Sequence, residues 1–221
     1  MAKRKQGWTP LQIITHIGAF IPLMLIGWGI WQGNAALLIN PIQEVTLRTG
    51  KAAIVLLMLS LSVTPVITVF GLRQIAPLRK PLGNYAFMYA AIHFIIFVVD
   101  NGIVENSISW LAVYEATFEK RFAFAGFAAL MILLPLAITS NQWSMRTLRK
   151  NWKRLHRFVY GAGILAVIHF IWLVKSDIRE PLLYGAWVTL LLVLRLPAVR
   201  RYVVNFRTRL TSSNRVAMNG A

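Results

Sequence analysis

Six apolar runs dominate this chain, each near the roughly 20 residues that cross a hydrocarbon core. They cover about 11–31, 52–71, 82–100, 122–140, 157–175 and 181–198. A chain of 221 residues that is 57% hydrophobic and only 14% charged is too apolar for a soluble domain of this size. The expected fold is an all-α membrane protein, a bundle of six transmembrane helices. The first run follows Lys3, Arg4 and Lys5 as a signal sequence would, but it is longer than a cleavable apolar region and reads as a retained span. Residues 1–200 read as one membrane domain and 201–221 as a basic cytoplasmic tail, lying on anionic lipid or disordered. No internal repeat, low-complexity tract or second domain is evident.

The charges orient the bundle. All seven acidic residues (Glu44, Asp100, Glu105, Glu115, Glu119, Asp177 and Glu180) fall in the loops after spans one, three and five. The opposite side carries 18 of the 24 Lys and Arg, among them Arg73, Arg79, Lys80, Arg146, Arg154, Arg195 and Arg207. The positive-inside rule then puts both termini in the cytoplasm. The net charge of +17 follows from this loop bias, so lipid headgroups rather than nucleic acid are the expected basic-face partner. Trp8, Trp28, Trp31, Trp110, Trp143, Trp152 and Trp172 sit near span ends, as interfacial anchors do. Residues 39–50 predict a short interfacial helix on the outer side, and Pro65 predicts a kink in span two.

All four histidines, His16, His93, His156 and His169, lie in or beside apolar runs, where ionisable groups are costly and mark function by default. His93 stands twelve residues after Pro81 and seven before Asp100, roughly 18 Å from the inner end and about 10 Å from the outer. His169 stands twelve after Arg157 and six before Lys175, roughly 18 Å and 9 Å from those ends. Matched depth on two spans suits two axial ligands of one b-type haem in the outer half of the membrane. His156 lies thirteen residues before His169, about 20 Å lower and about 140° round an ideal helix, too far to share that iron. Gly161 and Gly163 between them permit a bend. As a ligand, His156 would serve a second, inner cofactor. Arg79, about 21 Å below His93 and about 40° round the helix, would face the same interior and contact a propionate or sit beside the iron. His16, in the inner half of span one, is a candidate sixth ligand there. The alternative for each histidine is an interhelical hydrogen bond, and for Arg79 a plain inner-face anchor.

The chain has no cysteine, which removes disulfides, iron–sulfur clusters and covalent haem attachment. It has no nucleotide-binding glycine pattern and no H-E-x-x-H motif. Carboxylates are nearly absent from the apolar runs, which argues against an ion-coupled transporter. An electron-transfer subunit, rather than a complete enzyme, is the expectation.

The stretch 139–177, TSNQWSMRTLRKNWKRLHRFVYGAGILAVIHFIWLVKSD, resembles the signature of the MsrQ (YedZ) family, through Trp152, Leu155, His156, Phe158, Val159, Tyr160, Ile168, His169 and Trp172. Further matches are NPIQEVTLRTGKAAI at 40–54, SVTP at 62–65, LRKPLG with AAIH across 78–93, and EPLLYG at 180–185. The looser likeness is to the ferric-reductase-like transmembrane superfamily. The resemblance implies haem ligation by His93 and His169, a second haem at His156, a role for Arg79, and a less settled one for His16. It implies one or two b haems and FMN, with electrons taken from the quinone pool or a cytosolic flavin reductase. They would pass across the inner membrane to a periplasmic molybdenum-cofactor subunit that reduces methionine sulfoxide in oxidised proteins. Glu105, Glu115 and Glu119 could dock that partner. The basic tail and the extended 100–121 loop depart from the family pattern. The competing expectations are a ferric-reductase or cytochrome b561-like carrier with another acceptor, and a haem-free transporter or scaffold.

Overall fold

The computed structural model describes residues 9–104, 107–174 and 177–219. Lys3, Arg4, Lys5, Trp8, Glu105 and Lys175 lie outside the described residues, as do the side chains of Arg209 and Arg215. Helices α1 (Pro10–Trp31), α2 (Ala35–Ile39), α3 (Pro41–Phe70), α4 (Arg79–Gly102), α5 (Trp110–Phe118), α6 (Arg121–Ile138), α7 (Gln142–Leu155), α8 (Val159–Leu173), α9 (Arg179–Val193) and α10 (Pro197–Asn219) account for most of it. Two-residue strands pair Ile103 with Ile108 ahead of α5. The architecture is the all-α membrane bundle expected. Five helices are long and apolar enough to span a membrane, and a sixth span exists if the bent pair α9–α10 counts as one.

Local chemistry sets the helix ends. Thr9 and Gln12 form a reciprocal capping box at the start of α1, with Pro10 in the first turn. Gly71 ends α3 at φ +76°, a left-handed conformation that glycine adopts without strain, and its N–H closes on Ile67 O. α3 is the central helix and packs against α1, α4, α8, α9 and α10. Leu57, Met58, Leu61, Ala86, Tyr89, Ala162 and Leu191 make the buried core. Ala86 and Ala162 are wholly buried, and small residues there let backbones approach closely. Outward positions stay apolar, with Ile14, Met24, Trp31 and Trp110 well exposed to what would be lipid. Exposed carbon on this scale belongs to a lipid-facing surface.

Four differences from the sequence expectations have physical causes. Residues 41–50 are helical but run on into span two, making one helix of 30 residues; only the five-residue α2 stands apart. The basic connection between spans four and five is itself the amphipathic helix α7, kinked at Arg149, with a 3-10 turn at His156–Phe158 before α8. The last apolar run breaks after Val193, because Leu196 precedes a proline and is driven from helical geometry. The chain turns by 77° and Pro197 opens α10, so the basic tail is helical from within the expected span. Arg207 of α10 donates to the Ile67 and Thr68 carbonyls at 3.1 and 2.8 Å, capping the end of α3.

Arg195, counted above among the charges of the basic side, is bonded within the bundle. α9 has 15 residues and rises only about 22 Å, short of a roughly 30 Å hydrocarbon core. Its end brings Arg195 beside Leu61 and Tyr160. Pro65 has no N–H and leaves the Leu61 carbonyl without its helical donor; Arg195 Nη2 supplies one. Arg195 Nη1 bonds Tyr160 Oη and the guanidinium lies 4.5 Å from the Tyr160 ring centroid.

Candidate functional site

The two histidines matched in depth meet across the bundle. The rings of His93 on α4 and His169 on α8 have centroids 6.0 Å apart and planes at 84°. Two imidazoles bonded to one metal from opposite sides, each at about 2 Å, also stand with centroids about 6 Å apart.

Each ring is held in the same manner. His93 Nδ1 donates to the Thr46 carbonyl at 2.9 Å, and His169 Nδ1 to the Phe122 carbonyl at 2.7 Å, both across 47 residues of chain. A carbonyl only accepts, so the proton belongs on Nδ1 and the lone pair on Nε2. Metal-ligating histidines are oriented in this way, by a carbonyl that takes the proton of the ring's other nitrogen. Each carbonyl lies one turn before a glycine that the ring rests against. A Cβ on Gly50 would stand 3.0 Å from His93 Nδ1 and Cε1, and one on Gly126 would stand 2.7 Å from His169 Nδ1. Among the described residues no cluster of three or more His or acidic side chains could hold a bare metal ion. The donor set therefore fits a metal already carried in a planar ligand, with two imidazoles on its faces.

The likeness of the two halves corrects the expectation of no internal repeat. Antiparallel pair α3–α4 matches antiparallel pair α6–α8. Gly-x-Ala-Ala stands at 50–53 and 126–129, and Ala-x3-Ala-x-Ile-His-Phe-Ile-x2-Val at 86–98 and 162–174. The signal was in the sequence, hidden because alanine and isoleucine are common in any apolar helix. Thr46, Gly50, Phe122 and Gly126 were missed for the same reason.

Comparison with known proteins gives the family. The family model "Ferric reductase like transmembrane component" matches residues 49–167. A relative from Xanthomonas axonopodis pv. citri, named "Protein-methionine-sulfoxide reductase heme-binding subunit MsrQ", is 40% identical over 196 residues, covering 87% of this chain and 88% of its own. One of the same name from Bordetella pertussis is 37% identical over 193 residues, covering 82% and 91%. The chain belongs to the MsrQ family. No solved structure matches it. Membership in this transmembrane family, together with the apolar helices, makes it a multi-pass membrane protein.

The other residues singled out in this MsrQ-family chain lie elsewhere. His156 begins the turn before α8; its ring stacks on Trp152 at 4.0 Å, and its Nε2 lies 3.1 Å from Thr139 Oγ1. The Thr139 hydroxyl spends its proton on the Pro135 carbonyl at 2.6 Å, so it accepts from His156 Nε2. The His156 lone pair is then on Nδ1, the reverse of the outer pair. Trp152 is no free anchor either, since its Nε1 donates to the Thr139 carbonyl. Arg79 opens α4 with an exposed side chain, and its carbonyl accepts from Ser60 Oγ at 2.9 Å. His16 lies 2.8 Å through Nδ1 from Tyr85 Oη, edge-on to that ring. His16 and His156 are thus held by different partners on different helices. An apolar cavity of about 500 Å³ between α1, α3 and the start of α4, lined by Gly18, Ala19, Ala52 and Leu82, is separate from the His93–His169 pair. Glu115 lies on α5 and Glu119 at its end, on the acidic side of the bundle.

Proposed function

We propose that this chain is the haem-binding, electron-carrying membrane subunit of a methionine sulfoxide reductase system, with one b haem held between His93 and His169. The observation that carries the reading is the pair itself. Two rings from two helices stand at a separation suited to one metal, each with Nδ1 engaged by a carbonyl and Nε2 left as the donor. A bound b haem with two imidazole ligands supplies one-electron transfer with no open coordination position. The protein's part is to hold the two rings together with Nδ1 engaged, which leaves the lone pair of each on Nε2. Phe122 of α6 lies 6.2 Å from the His169 ring, and Phe94 of α4, next to His93, packs on Phe127 of α6.

The names of the relatives support the methionine sulfoxide reductase partner. In this reading the partner is a periplasmic molybdenum-cofactor subunit docking on the acidic end, and reducing equivalents come from quinol or a flavin at the basic end. His156 and Arg79 form the inner site, with FMN or a second haem as its occupant. What supports it is position. His156 stands thirteen residues before His169 and Arg79 fourteen before His93, so the two lie near equivalent points at the basic ends of matched helices.

The test is functional. Dithionite-reduced protein, freed of excess reductant, should be reoxidised on adding the partner subunit with methionine sulfoxide, and not by either alone. Reoxidation that ignores methionine sulfoxide would point to another acceptor.

A further inference from the structure

We propose that Gly50 and Gly126 are paired positioning residues that fix the planes of the two axial imidazoles. This rests on the haem reading above and deepens it. An α-helical Cβ leans toward the helix N-terminus, over the turn that precedes it. A side chain at 50 or 126 would therefore cover the carbonyl one turn earlier, at Thr46 or Phe122, the acceptor for each histidine. With glycine there, the imidazole lies flat along the helix wall and its Nδ1 reaches that carbonyl. The ring is then fixed at three points: its own Cβ tether, the Nδ1–H bond, and contact with the bare backbone. Together these settle rotation about the last side-chain torsion, which is otherwise broad for histidine.

Both halves of the repeat use this cradle, and the two planes come out at 84°. Glycine is otherwise unfavourable in a helix interior, by about 1 kcal/mol against alanine, so a recurring one needs a packing reason. Gly18 and Gly27 in α1 show the contrast: a Cβ at either meets nothing within 4 Å. Relative ring orientation on a low-spin ferric haem governs the anisotropy of its EPR signal. The Nδ1–H bond governs ligand basicity, and through it the reduction potential.

The experiment compares full-length Gly50→Ala, Gly126→Ala, Gly18→Ala and Gly27→Ala proteins by haem content, low-temperature EPR and redox titration. The wild type should give the strongly anisotropic low-spin signal of near-perpendicular imidazoles. Gly50→Ala, the milder intrusion at 3.0 Å, should keep haem but shift both the EPR signal and the midpoint potential. Gly126→Ala, at 2.7 Å, should shift them further or lose haem while still inserting. Gly18→Ala and Gly27→Ala should match the wild type. Wild-type EPR and potential in a haem-loaded Gly50→Ala protein would overturn the proposal. A wild type without haem would overturn the parent reading with it.

Discussion

The acidic half and the basic half of this bundle treat histidine in opposite ways. Near the acidic end, His93 and His169 are anchored through Nδ1 to backbone carbonyls, which leaves Nε2 unspent and the rings in register. Near the basic end, His156 has spent Nε2 on a threonine hydroxyl and lies flat on a tryptophan. The lesson concerns which nitrogen each offers. With Nδ1–H on a backbone carbonyl, His93 and His169 can offer a metal only Nε2; with Nε2–H on a side-chain hydroxyl, His156 offers Nδ1 and would have to exchange that bond to offer Nε2.

The sharpest way to break this contrast is to delete one imidazole from each half. His93→Ala or His169→Ala should abolish the outer haem, read as the haem-to-protein ratio in a pyridine haemochromogen assay, while the protein still inserts. With a second haem at the inner site, His156→Ala should lower that ratio without abolishing it; an unchanged ratio would remove the second haem and leave FMN as that site's occupant. Next in size is Thr139→Val, which frees His156 Nε2. With an inner haem, the ratio should hold or rise and the inner spectral component should shift; a fall would mean that the hydroxyl serves the site. Tyr89→Phe tests the frame rather than either site. The wholly buried Tyr89 donates to the Ala19 carbonyl at 2.6 Å and joins α4 to α1, so its loss should cost about 1 kcal/mol and lower the melting temperature with haem content kept. Smallest is Lys51→Met. Its 2.6 Å pair with Glu180 is half exposed, worth at most about 1 kcal/mol, and the spectra should not move.

Much of the acidic-end site was legible in the sequence because depth along a helix is simple arithmetic. Residue counts from Pro81 and Arg157 placed His93 and His169 level, and the fold brings those rings together. The cradle's glycines stand in the repeated Gly-x-Ala-Ala at 50–53 and 126–129, hidden among common apolar residues, while the carbonyl that each histidine reaches depends on crossing geometry that no single helix encodes. Arg195 shows the same limit. Counting charges places it on the basic side, and only the proline-freed carbonyl of Leu61, far away in sequence, explains why it turns inward. The sixth span read as one apolar run, yet Pro197 divides it, a local signal outweighed by hydropathy in the reading.

The most direct measurement is near-infrared magnetic circular dichroism of the purified ferric protein, which reports axial ligand identity. The wild type should show a bis-imidazole band that disappears in both His93→Ala and His169→Ala. A bis-imidazole band from the outer haem that survives either substitution would contradict ligation by this pair.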